Sequence, residues 1–313
     1  MKLVVQIPCY NEEKTLGKVL VEIPKKIKGI DRIEIQIIDD GSTDKTIEVA
    51  KKFGVDRIIR HKINKGLGIS FADGVEVALK AGADILVNTD GDNQYPGKYI
   101  ADLVKPIITD GAEVVIGDRQ TAEIKHFSNK KKFLQKLGSA VVRYLSGTEV
   151  PDAVSGFRAY SREALLEINT ISKFSYCIDT IVQAGKKGLK IVSVLIMVNK
   201  PTRKSRLFKN IWQHIKKSTA NLLRVFVVYE SFKTFIIIGS ILLIPAMFFM
   251  LRFIYFYFFI PLESDRYLKS LILGSVLLST SIQMFAIGIL ADLVSINRKL
   301  IEKLLRYEKE TKK

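Results

Sequence analysis

Asp90-Gly91-Asp92-Asn93-Gln94 is the stretch of this 313-residue chain best suited to do chemistry. Alternate residues of an extended segment share a face, so the two carboxylates lie roughly 7 Å apart and can reach one hard cation together. Gln94 keeps the same period and adds an amide oxygen. Two carboxylates and a neutral oxygen leave room for water and phosphate oxygens, which suits Mg2+ or Mn2+ bridging a nucleotide diphosphate. A calcium loop is excluded, because its sixth position would be Tyr95 instead of glycine and its twelfth Ala101 instead of glutamate. No Gly-x-Gly-x-x-Gly follows the first strand-like run and no Gly-x-x-x-x-Gly-Lys-Ser/Thr loop occurs, which argues against dinucleotide-binding and P-loop enzymes.

Two further polar clusters stand in comparable places. Tyr10-Asn11-Glu12 follows the apolar run Leu3–Ile7, and Asp39-Asp40-Gly41-Ser42 follows Ile33–Ile38, as the Asp90 cluster follows Asp84–Val87. Any one of them reads as a solvated turn. Three at strand ends, in a chain with 49 Lys+Arg against 32 Asp+Glu and a net charge of +17, point to one acidic crevice.

The elements that must position these clusters alternate. Helical apolar spacing covers Lys14–Ile27, Thr43–Phe53, Ser70–Ala81 and the stretch from Pro96 to Thr109, with short strands at Arg57–Arg60 and Glu113–Ile116. Further helices are expected over Lys131–Leu145, Arg162–Ile168 and Ile178–Lys186, and a strand over Lys190–Val198. Such alternation predicts an α/β, Rossmann-like domain whose sheet is mostly parallel and covered by helices. Cys9 and Cys177 fit a reducing compartment and read as ordinary buried thiols.

Taken in order, Pro8-Cys9-Tyr10-Asn11-Glu12-Glu13, Asp39-Asp40-Gly41-Ser42-Thr43-Asp44, Asn64-Lys65-Gly66-Leu67-Gly68 and Asp90-Gly91-Asp92-Asn93-Gln94 resemble a family-2 glycosyltransferase of GT-A fold. Ser155-Gly156-Phe157-Arg158-Ala159-Tyr160-Ser161-Arg162-Glu163 is similar to the dolichyl-phosphate mannose synthase-like branch, which includes polyprenyl-phosphate glucosyltransferases. The resemblance implies that Pro8, Tyr10, Glu12 and Asp39 line the base and ribose pocket. It further implies that Asp90, Asp92 and Gln94 hold Mg2+ or Mn2+ against the donor diphosphate. Arg119 and Arg158 are then expected to face phosphates at the reaction centre, and Arg203 and Arg206 to close over donor or acceptor phosphate. The family shows a small residue where Asp118 stands here. Asp152, four residues before Gly156, is the remaining carboxylate that could assist an acceptor or cap its own loop.

The implied reaction is inverting transfer of a hexose, from GDP-mannose in the first place or UDP-glucose, to a polyprenyl or dolichyl phosphate. A lipid monophosphate has a second pKa of about 6 and is largely a dianion at neutral pH, so it needs alignment and charge neutralisation more than a base. The rival activity is a membrane-anchored transferase that extends a saccharide at a hydroxyl, which would need a base.

The charge is unevenly spread. Thr234–Leu251 is a run of 18 uncharged residues and Ser270–Ala291 one of 22. As helices at ~1.5 Å per residue they measure roughly 27 and 33 Å, against a hydrocarbon core of about 30 Å. Two spans, at about 234–259 and 270–291 within a region 231–292, therefore follow a catalytic domain over 1–205. Between them lies 206–230, where Leu207, Phe208, Ile211, Trp212, Ile215, Leu222, Leu223 and Phe226 form one apolar helical stripe, the pattern of a helix lying in the lipid headgroups. Lys200–Lys233 holds nine Lys/Arg against Glu230 alone, and the tail 293–313 is also basic. The bias predicts that domain and tail both lie on the cytoplasmic side. Met1 leads straight into a strand-like run, so no signal peptide is expected. The bilayer, not nucleic acid, is the partner the excess charge suggests, and the hairpin offers a surface for homo-oligomer formation.

Overall fold

The computed structural model describes residues 1–120, 129–170, 176–200, 220, 224, 227–259 and 267–311, with side chains of the 129–146 helix described from 136 onward. It divides into two compact units, Met1–Lys216 with Leu304–Lys313, and Lys217–Lys303.

In the first unit, β1 (Lys2–Cys9) is buried without a break from Leu3 to Cys9. It sits between two parallel neighbours, so both of its faces are covered and the residues read as one apolar run. The elements follow in the order α1 (Leu16–Glu22), β2 (Arg32–Asp39), α2 (Thr46–Lys52), β3 (Arg57–Arg60), α3 (Leu67–Lys80) and β4 (Ile85–Asn88). A 3-10 turn at Gly97–Tyr99 leads into α4 (Ile100–Asp110), β5 (Val114–Asp118), α5 (Asn129–Ser146), β6 (Arg158–Ser161), α6 (Arg162–Glu167), α7 (Cys177–Lys186) and β7 (Ile191–Leu195). These form one seven-stranded sheet in the order β3-β2-β1-β4-β6-β5-β7. The expected α/β, Rossmann-like architecture with a mostly parallel sheet is what the chain adopts.

One strand departs from the sequence reading. β6 was not expected as a strand; it is four residues long and runs antiparallel to both β4 and β5. Reversal of β6 matters for function, because its beginning, not its end, lies at the edge where β1, β2, β4, β5 and β7 terminate. The loop Asp152–Phe157 is thereby delivered to that edge.

The core joins Leu3, Val5 and Ile7 of β1 to Leu16, Val19 and Leu20 of α1 and to Leu103, Val104 and Ile107 of α4. Full burial of each such side chain contributes about 1.5–3 kcal/mol. The opposite face carries a row of polar side chains in strand register: Gln36 pairs with Gln6, Gln6 with Asn88, and Asn88 with Arg158. Gln36 Nε2 donates to Gln6 Oε1 at 2.9 Å and Gln6 Nε2 to Asn88 Oδ1 at 3.1 Å. These bonds link the three buried amides in a chain, with Gln36 Oε1 left without a hydrogen-bond partner at its end.

The second unit holds α8 (Ser231–Phe259) and most of α9 (Leu268–Thr311), both long and apolar enough to cross a membrane. Only 11% and 17% of their most apolar stretches are buried, which separates them from core helices of a soluble domain. Where they touch, small residues recur at heptad spacing: Gly239 and Ala246 on α8, Gly274, Ser281 and Gly288 on α9 are the buried positions. Ser281 Oγ donates to the Gly239 carbonyl at 2.8 Å, and a Cβ on Gly288 would lie 3.2 Å from Phe235 Cβ. Close backbone approach through small residues is how helices associate without a hydrophobic driving force. Most of the expected headgroup helix at 206–230 lies outside the described residues.

Candidate active site

Three loops at the sheet edge are wired to one another. Asn11, at φ +58°, receives the Thr43 N–H on Oδ1 at 2.8 Å and gives its own N–H to Ser42 Oγ at 2.8 Å. The Glu12 N–H donates to Thr46 Oγ1 at 2.7 Å, and Glu12 Oε2 accepts from Thr15 Oγ1 at 2.8 Å. The segment after β1 is thus locked to the segment after β2, with Pro8 and Glu12 buried and Tyr10 exposed.

The second acidic cluster divides its work. Asp39 is wholly buried; Oδ1 accepts the Ser42 N–H at 3.1 Å, while Oδ2 has no hydrogen-bond partner and lies 3.4 Å from Arg60 Nε. A buried carboxylate oxygen left this way costs free energy unless a ligand donor meets it. Asp40 points elsewhere. Its oxygens accept the N–H groups of Lys65 and Gly66 at 2.8 and 2.9 Å, and Oδ1 lies 2.8 Å from His61 Nδ1. Asp40 thereby fixes the loop that opens α3. Gly41 has φ +79° and its Cβ would lie 2.8 Å from the Ile63 carbonyl carbon, so only glycine fits between these loops.

Asp90, Asp92 and Gln94 are half-buried on the turn after β4. Gln94 gives its N–H to Asp92 Oδ1 at 3.1 Å and its Nε2 to Asp92 Oδ2 at 2.8 Å, so it orients the neighbouring carboxylate. Among the described residues no group of three His, Cys, Asp or Glu side chains is placed to hold a metal ion. Two carboxylates and an amide still fit a hard divalent cation that takes its other oxygens from a diphosphate and water. Space is kept open beside them. A Cβ on Gly156 would lie 3.5 Å from both Asp90 oxygens and 3.0 Å from the Tyr176 hydroxyl.

The Gly156 peptide is clamped on both sides. Its N–H donates to the Tyr95 hydroxyl at 3.2 Å, and its carbonyl accepts from the Tyr176 hydroxyl at 2.8 Å and from Asn88 Nδ2 at 3.3 Å. Tyr176 stacks on Phe71 with ring centroids 4.1 Å apart. Burial pushes the Tyr95 hydroxyl up to about 12, which keeps it a proton-bearing acceptor for Gly156. Gln6, Asn88, Tyr95 and Tyr176 were not singled out from sequence. Their only signal is polarity at positions that should be apolar on a buried strand or beside an aromatic.

Two expected site residues are bound within the protein itself. Arg158, expected to face phosphate, is completely buried. Its Nε donates to the Ser155 carbonyl at 2.7 Å, Nη1 to the Cys177 carbonyl and Thr180 Oγ1, both at 2.8 Å, and Nη2 to the Ala153 carbonyl at 2.9 Å. Its donors are engaged with these oxygens, so it shapes the 153–155 loop instead of binding a ligand. Asp152, weighed as an acceptor base or a loop cap, is bound by Arg119 and by its own loop. Arg119 donates to it through Nε at 2.6 Å and Nη2 at 2.9 Å, and the Val154 N–H reaches Oδ1 at 3.3 Å. Burial alone would raise its pKa, but these bonds outweigh that and hold it below the ordinary carboxylate range. Asp118, where the family has a small residue, accepts the Gln120 N–H at 2.9 Å and turns the chain past Arg119. Burial, with the charges of Glu12, Asp39 and Asp90, pushes the Cys9 thiol well up, which favours the protonated form. Arg203 and Arg206 lie outside the described residues.

Comparison with known proteins follows the same outline. Residues 4–168 match the family model described as Glycosyl transferase family 2. The chain is 32% identical over 212 residues to the UDP-N-acetylglucosamine–dolichyl-phosphate N-acetylglucosaminyltransferase of Methanococcus voltae, covering 61% of this chain and 82% of that one. It is 32% identical over 195 residues to a dolichyl-phosphate hexose transferase of Haloferax volcanii, covering 62% and 81%. Among solved structures, the glucosyl-3-phosphoglycerate synthase of Mycobacterium tuberculosis, crystallised with Mn2+, UDP-glucose and phosphoglyceric acid, superposes with a TM-score of 0.56 at 20% identity, over 72% of this chain and 78% of that one. That likeness is one of fold.

Proposed function

Because the chain belongs to glycosyl transferase family 2, we propose that it moves a hexose from a nucleotide sugar to a polyprenyl or dolichyl phosphate, with inversion at the anomeric carbon, at the cytoplasmic membrane face. The observation that carries this reading is the convergence of the Asp90–Gln94 turn, the buried Asp39 and the Arg119–Asp152 pair on one sheet edge. The two relatives named for dolichyl-phosphate transfer support the acceptor class.

Asp39, with Pro8, Tyr10 and Glu12, receives the base and ribose, and its Oδ2, which faces Arg60 Nε at 3.4 Å without a hydrogen bond, is the acceptor for a ligand N–H or O–H. Asp90 and Asp92, with Gln94 orienting the second carboxylate, hold Mg2+ or Mn2+, which when bound neutralises the departing diphosphate. Arg119 is held beside the crevice by Asp152 through Nε and Nη2. The acceptor phosphate, already a dianion, forms its oxygen–carbon bond as the bond to the diphosphate breaks. No base is asked of Asp152, whose carboxylate is committed to Arg119. This favours a phosphate acceptor over a saccharide hydroxyl.

A two-span hairpin with domain and tail on one side is supported by the basic residues that flank it and by the tail itself. Arg306 and Lys309 reach α6 of the first unit, Lys309 Nζ touching the Leu165 and Ile168 carbonyls at 3.2 and 3.1 Å.

The test is purified full-length protein in detergent with Mn2+ or Mg2+, one polyprenyl phosphate, and a donor panel led by GDP-mannose and UDP-glucose, then UDP-N-acetylglucosamine. Mass spectrometry should find a hexosyl phospholipid, absent after chelation of the metal. Transfer to none of several polyprenyl phosphates, with transfer to a saccharide instead, overturns the reading.

A further inference from the structure

Asn199 stands four residues beyond the end of β7, and it holds the turn that carries Asp92. Its backbone N–H donates to the Gln94 carbonyl at 2.9 Å and its Nδ2 to the Asn93 carbonyl at 3.0 Å. One residue thus fixes two successive carbonyls of the turn. Asn93 has a φ of +59°, left-handed backbone that asparagine adopts more readily than most residues, and these two bonds hold the turn in that form. Gln94, so held, grips both oxygens of Asp92 through its N–H and its Nε2. The path from Asn199 to the carboxylate is therefore two links long.

Asn199 is itself fixed by the sheet. β7 pairs in parallel with β5, and the Ile196 N–H extends that ladder to the Asp118 carbonyl at 2.9 Å, next to Arg119. The connection ties the Asp92 turn to the strand end that presents the Arg119–Asp152 pair.

We infer that Asn199 is a positioning residue that sets the direction of the Asp92 carboxylate toward the divalent cation. This rests on the metal reading above, and it extends that reading to a residue just beyond the edge strand β7. Groups one layer out from metal ligands commonly govern affinity by about 10–100-fold.

Asn199→Ala and Asn199→Asp test it, because the backbone bond to Gln94 survives in both and only the Asn93 bond is removed. The aspartate keeps the shape, lacks the donor and sets an oxygen against the Asn93 carbonyl. Mn2+ is titrated into full-length protein with UDP and, separately, with GDP, and free Mn2+ is read by electron paramagnetic resonance. The Mn2+ dissociation constant should rise about tenfold or more in both variants, while Tm stays within about 3 °C of the wild type, as for loss of one half-buried bond. Wild-type Mn2+ affinity in the variants overturns the inference, and so does weakened binding that appears only with a collapse in Tm. If the wild type binds Mn2+ with nucleotide but glycosylates no polyprenyl phosphate, the acceptor reading falls and the role of Asn199 stands. If it binds no Mn2+, the role falls too.

Discussion

The guanidinium of Arg119 and the carboxylate of Asp152 meet at two points, Nε to Oδ2 at 2.6 Å and Nη2 to Oδ1 at 2.9 Å, with side chains only 13% and 3% exposed. We propose that a carboxylate held this way acts as a structural anion and not as a base. Asp152→Asn removes one side of a buried pair, which costs about 3–5 kcal/mol where the remaining charge stays buried. Activity should fall with stability while the acid limb of the pH–rate profile stays in place. The sign of the linkage follows from the lowered pKa: the stabilisation is present above the ordinary carboxylate value of about 3.9 and is lost as pH falls through the folded value. Urea melts of wild type and variant should therefore differ widely at pH 7 and converge below about pH 4. An acid limb lost or shifted with unchanged stability would restore Asp152 as a base.

Arg158→Lys separates a scaffold arginine from a phosphate-binding one. Lysine cannot serve the carbonyls of Ala153, Ser155 and Cys177 together, and each buried carbonyl left unpaired costs about 1–3 kcal/mol. A loss of about 3 kcal/mol lowers Tm by roughly 6–12 °C in a domain of this size. Thermal melts should show that drop. A normal Tm with a raised KM for acceptor would mean that Arg158 touches phosphate after all.

The difference between these two arginines marks what the sequence could convey. Parallel strands announced themselves, since β1 and β2 are apolar runs ending in polar clusters, and so did the converging turns at Asp39 and Asp90. β6 did not, because Arg158-Ala159-Tyr160-Ser161 is short and has neither an apolar run nor a clean alternation. Its antiparallel course decides where Arg158 goes: the strand register sets it beside Asn88, at the end of the Gln36–Gln6–Asn88 row. A charge next to a ligand-binding motif reads as a ligand contact until the strand pairing is known. For the same reason Asp39 and Asp40, adjacent in sequence, could not be told apart. Opposite directions on the strand give one an unpaired oxygen and the other a loop to hold.

Gly156→Ala probes the space beside Asp90. The added methyl would stand 3.0 Å from the Tyr176 hydroxyl, which Asn88 Nδ2 already holds at 2.7 Å, so neither neighbour gives way freely. Overpacking of this kind costs about 1–3 kcal/mol. Asp90 itself meets the methyl at an ordinary 3.5 Å contact, so a fall in kcat of about tenfold is expected only through the shift of Tyr176 and the Gly156 peptide beside it. Steady-state kinetics at several Mn2+ concentrations check it; wild-type kcat and metal dependence would show that no such shift reaches Asp90.

The tail contacts of α6 give the last prediction. Lys309 Nζ reaches the carbonyls of Leu165, Leu166 and Ile168 at 3.2, 3.4 and 3.1 Å, at the helix end where carbonyls lack intrahelical partners. Arg306 pairs with Glu163 at 3.0 Å and also with Glu167, which Lys187 holds at 3.0 Å from the other side. Burial acts to raise the Glu167 pKa, but the bonds to Lys187 and Arg306 prevail and lower it. The glutamate's contribution is therefore present above its ordinary pKa of about 4.3 and fades as pH falls below it. Because Arg306 is more than a third exposed, solvent screening limits the ion pairs to about 1 kcal/mol. An Arg306→Ala, Lys309→Ala double variant should speed amide hydrogen exchange in α6 severalfold at pH 7, and the difference from wild type should shrink toward pH 4 and in high salt. Exchange in α6 that matches the wild type at pH 7 and low salt would mean that the tail does not dock there.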